Sequence, residues 1–443
     1  MFQWSGRISL RFTWDCLLTN PRFEGRHIEY RTEGMDKVVW ILNHYALEPG
    51  GAGGTRHYSL ARHMLPLGWQ PYIIAASTEL NTGRQRLRHD ETTRMETFDG
   101  VSFMWLRVPT YNGNGIGRVR NMVSYTVAAL RGRTLRQLPP PDVIIGSSVH
   151  PLAAWAGARL ARRYQVPFIF EVRDLWPETL IDMGRLKRNG LVARLLRRLE
   201  ERLYKQATVI ISVLPKAVDY ITQFGVPAAK VRWIPNGAEV SSYAVTAEPP
   251  TNPFTFMYFG AHGQANGLDV VLKAYGQAIR LPGMPPSRLR LIGDGPAKAG
   301  LIKLAEELRI STVSFEKPVR KAEIPALAAQ AHAFVFHLHD IPVFRFGISS
   351  NKLFDYLATG RPVLFGCNAS NNPVQEARAG LTVPADSVDK MAQAMLAVAT
   401  MSAQERASMG QRGYDLVHTQ YAYLHLAKQL VQVLNEVQQA SRE

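Results

Sequence analysis

Short apolar segments alternate with helical patterns along most of this chain, in two successive series. The first series begins with Val38–Asn43 and the second with Phe256–Phe259, and each segment leads into a glycine-rich loop and a helix. This alternation predicts parallel sheets with crossover helices, the α/β class. Because the polar stretch before the second series ends in Pro249 and Pro250, we place a linker at residues 241–253.

The length of 443 residues exceeds what one ordinary hydrophobic core holds, which agrees with two domains. We expect Rossmann-like domains at residues 35–240 and 254–420, and a final helix at 421–443 that is long enough to pack back on the first domain. Residues 1–34 lack both the alternation and the apolar segment of a secretory signal. We expect them to be a disordered extension, or the true start to be Met35.

Composition narrows the class of protein. No run of about 18 apolar residues is present to span a membrane, and two cysteines, Cys16 and Cys367, favour the reducing cytoplasm over a disulfide framework. The net charge of +16 is concentrated in residues 101–205, where 18 Lys and Arg outnumber 7 Asp and Glu. Such a surface favours an anionic partner: nucleic acid, anionic lipid or a phosphorylated substrate.

The positive charge is densest in Gly184–Lys205, which we interpret as one basic amphipathic helix. Its apolar residues recur at helical spacing and predict a face toward the core: Leu191, Val192, Leu195, Leu196, Leu199 and Leu203. Its arginines suit an anionic membrane surface as well as a solvated face. Nucleic acid is disfavoured, since the basic segments lack interleaved aromatic residues and any nucleic-acid-binding motif.

Glycine and polar residues follow several predicted strands, at the edge where open α/β sheets bind ligands. The loop Gly50–Gly54 matches neither a dinucleotide-binding nor a Walker motif, so a flexible turn and a substrate loop remain equal alternatives. His150 is either a loop or capping residue or part of a site. The polar stretch Thr78–Asp99 is expected to be a loop.

Charged residues are also dense at the carboxyl end of the predicted strand Pro167–Val172. Residues 171–178 include Glu171, Arg173, Asp174 and Glu178. Charges packed at the carboxyl end of a strand rarely serve a core. We therefore interpret this cluster as functional, with a salt-bridged turn as the alternative.

The stretch Phe344–Phe365 carries the most informative local pattern. Ser349 or Ser350 is expected to cap a helix over Asn351–Ala358, and Gly360 to occupy the left-handed position after it. A helix N-terminus presents unpaired N–H groups and a partial positive charge, which suit a phosphate or diphosphate.

Two charged side chains of this helix add to the pattern. Lys352 lies in the first turn and would contribute a full positive charge. Asp355 follows Asn351 at i+4 on the same face, where a carboxylate is placed to accept two ribose hydroxyls. An ordinary capped surface helix is the alternative for this segment alone.

Taken together, these segments resemble the retaining family-4 glycosyltransferases of the GT-B fold. Within that family the chain is similar to bacterial transferases of surface-polysaccharide assembly, particularly N-acetylfucosamine transferases. The resemblance covers residues 36–437, and six motifs in the family's order carry it: EPGGAGGTRHYSLAR (48–62), FEVRDLWPE (170–178), IPNGAE (234–239), YFGAHGQANGLD (258–269), LIGDGP (291–296) and GISSNKLFDYLATGRPVL (347–364).

This resemblance implies two Rossmann-like domains that face each other across a cleft, with the C-terminal helix crossing back to the first. It implies a UDP-linked sugar as donor, bound mainly by the second domain, and neither a metal nor a cofactor, because a helix dipole and cations stabilise the departing diphosphate. Asp355 would bind the ribose. The other implied donor contacts are Ser349, Ser350, Asn351 and Lys352 at the diphosphate, Gly293, Asp294 and Lys317 near the base, His262 and Gly263 over the phosphates, and Gly51, Gly53 and Gly54 from the first domain.

The chain departs from the family's pattern at several positions. Of the usual two glutamates eight residues apart, the first is replaced by Gly347 and the second by Asp355. The usual arginine and lysine of the phosphate loop are Ala261 and Asn266, so Lys352, Arg345 or Arg173 must offset two missing charges. Arg173 also stands where many members have a histidine, and with Asp174 it is expected to shape the acceptor or sugar site.

The implied reaction transfers an N-acetylated amino or deoxyamino hexose, with retention, to a polyprenyl-diphosphate-linked saccharide in O-antigen or capsule biosynthesis. The basic segment 101–205 then predicts a peripheral protein at the cytoplasmic face of the inner membrane. The alternative is a UDP-sugar 2-epimerase of the same fold, which would convert a UDP-sugar without any acceptor.

Overall fold

A computed structural model describes residues 37–442, except 52–54, 80–82, 112, 114, 132–133, 247 and 251. The expected extension at residues 1–34 lies outside the described residues. Two sheets organise the rest. Their strands are β1 (Lys37–Leu42), β2 (Trp69–Ala76), β3 (Thr93–Phe98), β4 (Val101–Leu106), β5 (Val143–Ser147), β6 (Phe168–Val172), β7 (Val209–Ser212), β8 (Val231–Trp233), β9 (Phe254–Phe259), β10 (Ser287–Ile292), β11 (Val313–Glu316), β12 (Ala333–His337), β13 (Val363–Gly366) and β14 (Gly380–Val383).

Helices separate most of these strands along the chain. Within the described residues they are α1 (Arg56–Met64), α2 (Ile116–Leu130), α3 (Pro151–Tyr164), α4 (Glu178–Asp182), α5 (Leu191–Gln206), α6 (Ala217–Ile221), α7 (Leu268–Ala278), α8 (Lys298–Glu307), α9 (Ile324–Ala328), α10 (Asn351–Ala358), α11 (Pro373–Glu376), α12 (Val388–Thr400), α13 (Ala403–Leu416) and α14 (Tyr423–Ala440).

The first sheet has the strand order β3-β4-β2-β1-β5-β6-β7-β8, and the second β11-β10-β9-β12-β13-β14. All pairings are parallel except that of β3 with β4. Central strands such as β1 and β9 are apolar at nearly every position, because helices cover both faces of a parallel sheet. The predicted α/β class with two parallel sheets is confirmed.

The expectation of a loop over Thr78–Asp99 is wrong, because β3 lies within it and pairs antiparallel with β4. The two strands are joined at Asp99 and Gly100, which both have positive φ values, 47° and 81°. Asp-Gly is a strong hairpin signal. The strand was missed because β3 is a half-exposed edge strand rich in polar residues.

The first sheet carries helices on both faces. Helices α1 and α14 pack together on one face, where Tyr423, Leu426 and Leu434 of α14 join the core formed by β1 and β2. Helices α2, α3 and α5 pack on the other face, with α3 in contact with both neighbours. The C-terminal helix therefore crosses back to the first sheet, as predicted.

The expectation of one helix over Gly184–Lys205 is wrong in two respects. Helix α5 begins only at Leu191, and the residues that it buries are Ala193, Glu200, Leu203 and Tyr204. Three of the residues assigned to the core face, Leu191, Val192 and Leu195, are instead exposed. The apolar stripe misled the prediction because Glu200 takes a buried position, where it accepts hydrogen bonds from the hydroxyls of Tyr204 and Tyr220.

Of the helices in the described part of the chain, none combines the length and hydropathy needed to cross a bilayer.

Candidate active site

Loops that follow strands of both sheets meet at their carboxyl edges. Lys321, after β11, donates from Nζ to Oγ1 of Thr55, which precedes α1, at 2.9 Å. Asn236, after β8, donates from its backbone N–H to Oγ of Ser349 at 2.8 Å. The backbone N–H of Lys216 also donates to the carbonyl of Phe346 at 3.0 Å. This edge is where open α/β sheets bind ligands, and residues from both domains reach it.

Helix α10 forms at the predicted residues, but neither expected serine caps it. Ser350 occupies the N-cap position without a capping side-chain hydrogen bond in the described residues. The hydroxyl of Ser349 instead accepts from Asn236, whose Nδ2 also donates to the carbonyl of Ser349 at 2.5 Å. The first turn thus keeps amide groups that no side-chain cap occupies, and a helix N-terminus in that state favours an anion.

Lys352 lies in that first turn and points into the site. Its Nζ donates to Oδ1 of Asn266 at 2.8 Å and to the hydroxyl of Tyr258 at 3.1 Å. It also lies 4.9 Å from the ring centre of Phe336, a cation–π distance. Desolvation by the surrounding protein lowers the pKa of Lys352 to about 7, so its charge is present only part of the time at neutral pH.

Asn266 connects the loop at residues 260–267 with Lys352. Its Nδ2 donates to the carbonyl of Ala261 at 2.8 Å, while its Oδ1 accepts from Lys352. A Cβ on Gly260, at φ 146°, would lie 3.0 Å from Cε of Lys352. The lysine of α10 therefore lies against the loop at residues 260–267, where the family has its own lysine. That Lys352 replaces it in function stays a prediction.

His262 is fully buried in this loop. Both of its ring nitrogens lack hydrogen-bond partners among the described residues. Burial, assisted by the charge of Lys298, lowers the pKa of His262 to about 4 and keeps the ring neutral. Its backbone N–H donates to the carbonyl of Asp294 at 2.8 Å. A buried imidazole without partners is available to a ligand, although its role here stays a prediction.

The glycines around His262 allow the two loops to touch. A Cβ on Gly293 would lie 1.9 Å from the carbonyl oxygen of Gly260, and one on Gly295 would lie 2.5 Å from that of His262. The structure thus brings Gly293 and Asp294, which the resemblance implied near the base, together with His262, which it implied over the phosphates. Both roles stay predictions. Of the other residues implied at these two places, Gly263 lies in the same loop as His262, and the exposed Lys317 follows β11 directly.

Asp355 is buried, and its Oδ1 accepts from the hydroxyl of Tyr243 at 2.9 Å. Desolvation raises the pKa of this carboxyl, and the nearby charge of Lys321 opposes the rise. Neither Tyr243 nor Lys321 was identified from the sequence, because each reaches Asp355 from a distant part of the chain. The ribose contact assigned to Asp355 remains a prediction.

Gly347 stands where the family has its first glutamate, and the structure gives a reason. Its φ is 103°, and a Cβ there would lie 2.5 Å from Cδ of Pro215 and 3.0 Å from Oδ1 of Asn371. Pro215 belongs to the first domain. Close packing between the domains therefore fills the space that a side chain at position 347 would need.

The charged cluster after β6 divides into two parts. Glu171 is buried, with Arg56 Nε 2.9 Å from Oε1 and His57 Nε2 2.7 Å from Oε2. Burial disfavours its carboxylate, but His57 and Arg56 together outweigh burial and hold the pKa of Glu171 well below its usual range. Arg56 also donates to the carbonyl of Ile234 at 2.8 Å. Glu171 thus ties α1, β6 and the 234–235 turn together, as in the salt-bridged alternative.

The other cluster residues that we assigned to the site are less buried. Arg173 is half-buried, and its backbone N–H donates to Oγ of Ser148 at 3.0 Å. Asp174 is exposed, yet the protein atoms around it raise the pKa of its carboxyl. The contact of both residues with a substrate stays a prediction.

His150 follows the capping alternative. Its Nδ1 accepts from the backbone N–H of Ala153 at 3.2 Å, and its Nε2 lies 2.5 Å from Nδ1 of His44. Burial lowers the pKa of His150 to about 3, so the ring is neutral.

Gly51 approaches Leu47, since a Cβ on Gly51 would lie 2.9 Å from Cβ of Leu47. The other two glycines assigned to the site, Gly53 and Gly54, lie outside the described residues.

One group of side chains in the described residues could hold a metal ion: His337, His339 and Asp386, whose donor atoms lie within 4.8 Å of one another. Nε2 of His337 already accepts from the backbone N–H of Asp386 at 2.9 Å, and Nδ1 of His339 lies 2.5 Å from Oδ1 of Asp386. The backbone N–H of His339 donates to the carbonyl of Ala265 at 3.2 Å. The first two bonds tie the three residues to one another, and the bond of His339 to Ala265 braces the loop at residues 260–267.

Two protein-family models match the chain, one over each sheet. The first, described as a glycosyl transferase 4-like domain, matches residues 51–237, and the second, described as glycosyl transferases group 1, matches residues 253–401. Together they span most of the chain. A search of curated proteins found no match.

Solved structures with the same fold match nearly the whole chain at low identity. Sucrose-phosphate synthase from Thermosynechococcus elongatus aligns with a TM-score of 0.71 at 17% identity, over 91% of this chain and 100% of that one. HepE of Anabaena, solved with UDP and glucose, aligns with a TM-score of 0.61 at 14% identity, over 90% of this chain and 99% of that one. WaaG, a glycosyltransferase involved in lipopolysaccharide biosynthesis, aligns with a TM-score of 0.62 at 15% identity, over 90% of this chain and 99% of that one. These likenesses confirm the predicted GT-B arrangement.

Proposed function

Because the chain belongs to the family-4 glycosyltransferases of the GT-B type, we propose that it transfers a sugar from a UDP-sugar to a polyprenyl-diphosphate-linked saccharide. The observation that carries the donor half is the pairing of Lys352 with the uncapped N-terminus of α10. The HepE structure, which contains UDP and glucose, supports UDP as the nucleotide.

The proposed chemistry depends on charge that develops on the departing diphosphate. Amides of the first turn of α10 and the ammonium of Lys352 stabilise that charge, and an anion beside Lys352 raises its pKa and keeps it protonated. The reaction therefore proceeds without a metal or cofactor, and activity should survive excess EDTA. Loss of activity in EDTA that Mg²⁺ restores would contradict this part of the proposal.

The acceptor half rests on the first domain. Arg173 and Asp174 follow β6 at the carboxyl edge of the first sheet, and we assign to them the orientation of the transferred sugar or the attacking hydroxyl. We propose an N-acetylated amino or deoxyamino hexose as the sugar, retention at its anomeric carbon, and a role in O-antigen or capsule assembly. The similarity of the fold to WaaG accords with that role.

Product analysis by NMR tests this function. The enzyme is incubated with UDP-linked N-acetylhexosamines, with and without a short-chain polyprenyl-diphosphate saccharide. We expect release of UDP and a new α-linkage only when the acceptor is present. A changed sugar configuration on UDP without any acceptor would instead identify a 2-epimerase and contradict the proposal.

We also propose that the protein binds peripherally to the cytoplasmic face of the inner membrane, through the basic segment 101–205. The exposed arginines Arg194, Arg198 and Arg202 of α5 are the appropriate residues to neutralise. Arg197 is not, because it forms an ion pair of 2.6 Å with Glu178. Binding to anionic vesicles should fall in the triple glutamine variant; unchanged binding would remove α5 from the proposal.

A further inference from the structure

Helix α2 presents a continuous apolar stripe to solvent. Its members, Ile116, Val119, Val123 and Val127, are 88%, 57%, 45% and 45% exposed. Their spacing of three, four and four residues places them on one side of the helix. Tyr125 and Ala129, on the opposite side, are buried against the sheet. The helix is therefore apolar on both sides, and only one of them has a partner among the described residues.

Single exposed apolar residues are ordinary, but an aligned row of four is a patch and marks an interaction surface. The patch extends across the same helical layer. Helix α3 contacts both α2 and α5, and the first two turns of α5 expose Leu191, Val192 and Leu195. Apolar residues thus stand at both sides of one layer of three helices.

The charges on this layer are almost all positive. Neither α2 nor α3 contains an acidic residue, and of the two acidic residues of α5, Glu200 is buried and Glu201 pairs with Lys205 at 2.5 Å. The exposed basic side chains are Arg120 and Arg131 at α2, Arg162 and Arg163 on α3, and Arg194, Arg198 and Arg202 on α5.

A groove adjoins the stripe. Val123 and Val127 form one wall of a depression of about 650 Å³, and Val108, Arg107 and Arg131 contribute to the rest of its lining. Apolar and basic groups therefore alternate over a short distance beside the valines. A surface of this kind suits lipid, whose acyl region accepts the valines while its phosphates meet the arginines.

We propose that α2 is the element that inserts into an anionic lipid bilayer, with its stripe at the boundary between headgroups and acyl chains and the basic layer of α2, α3 and α5 on the headgroups. This deepens the membrane part of the proposed function and does not depend on which sugar is transferred. It also assigns the apolar contact with the membrane to α2.

A second copy of the chain is a poor occupant of this surface. Two copies that met through this layer would bring arginines against arginines, in a protein whose net charge is +16. Like charges without acidic partners oppose such an interface. Charge complementarity therefore favours anionic lipid over self-association.

Vesicle co-sedimentation with the full chain tests the proposal. We compare wild type with Val119→Asp/Val123→Asp on vesicles of phosphatidylcholine with 30% phosphatidylglycerol (roughly −30 to −50 mV surfaces), and on pure phosphatidylcholine. The matched control is Leu424→Asp, which places a charge on an exposed apolar position of α14. We expect the double variant to bind anionic vesicles about 100-fold more weakly, since two apolar groups are lost and two negative charges added. The control should bind as wild type does.

Equal vesicle binding by wild type and the double variant would overturn the proposal. So would a dimer by light scattering that dissociates in the double variant while vesicle binding is absent in both. Unchanged thermal unfolding and UDP binding show that the variant folds, and they keep failure of this proposal separate from failure of the donor site. If the variant does not fold, hydrogen exchange on wild type decides: amides of α2 should gain protection on anionic vesicles, and no gain would refute the insertion.

Discussion

Replacement of Lys352 by methionine tests the electrostatic basis of the donor site. Methionine keeps most of the side-chain volume against Tyr258 and Phe336 but removes the charge that α10 presents beside its N-terminus. A unit charge about 4 Å from a phosphate is worth roughly 4 kcal/mol at an effective dielectric constant of about 20. Desolvation of the anion offsets part of this Coulomb energy, so we expect the substitution to weaken the binding free energy of UDP by about 2–4 kcal/mol.

That loss corresponds to a dissociation constant roughly 30- to 1,000-fold higher. Isothermal titration calorimetry with UDP measures it, and titration with uridine provides the internal reference, because uridine lacks the phosphates. Lys303→Met on α8, a largely exposed lysine, is the matched control. A change of less than about threefold for UDP, or an equal change for uridine, would refute the placement of the diphosphate at Lys352.

The lowered pKa of Lys352 adds a dependence on pH. In the free protein the amine loses its proton near pH 7, whereas a bound diphosphate holds the proton to higher pH. The complex therefore binds more protons than the free protein above pH 7, and affinity for UDP falls as the pH rises. We expect a decrease of about 20-fold between pH 6.5 and 8.5 in wild type and a nearly flat profile in Lys352→Met. Parallel profiles would contradict the assignment.

Three further substitutions test the fold around the site. Gly347→Ala combines a positive φ with a clash against Pro215, so it should lower the free energy of unfolding in urea by about 1–3 kcal/mol. An unchanged urea midpoint would contradict the close packing at Gly347. Glu171→Gln leaves Arg56 buried without its anion and should cost about 3–5 kcal/mol; a loss below about 1 kcal/mol would contradict the proposed tie. Burial raises the pKa of Glu200 to about 8 from 4.5. The folded state then holds one more proton between those values, so stability should fall as pH rises from about 4.5 to 8, and Glu200→Gln should remove that slope.

Local patterns predicted the elements of the fold well. Helix α10 covers the predicted residues Asn351–Ala358, and Gly360 takes the left-handed conformation after it at φ 70°, because glycine conformation acts over a few residues. The alternation of strands and helices likewise indicated both sheets, and the length of the final helix indicated the return of α14. Strand β14 was not identified, since its four residues are only half-buried and lack a strong apolar pattern.

Contacts between distant segments could not be predicted in the same way. Ser349 does not cap α10 because Asn236, which lies 113 residues away, engages its hydroxyl. Tyr243 reaches Asp355 over a separation of 112 residues. Such pairings are set by packing between segments that are distant in the chain, and a single sequence carries no local signal for them. The exposed leucines of α5 show a second limit of sequence patterns. The spacing of apolar residues along a helix does not determine which side of that helix packs on the core.

A thermal-shift titration with UDP, GDP, ADP and NAD, on wild type and Asp355→Asn, tests the central claim most directly. A ligand at 100 times its dissociation constant adds about 2.7 kcal/mol of stability, which raises the melting temperature by a few degrees. We predict a shift with UDP alone, weakened in Asp355→Asn. A shift with GDP instead would contradict the proposed donor, and no shift with any of the four nucleotides would contradict the nucleotide-binding site itself.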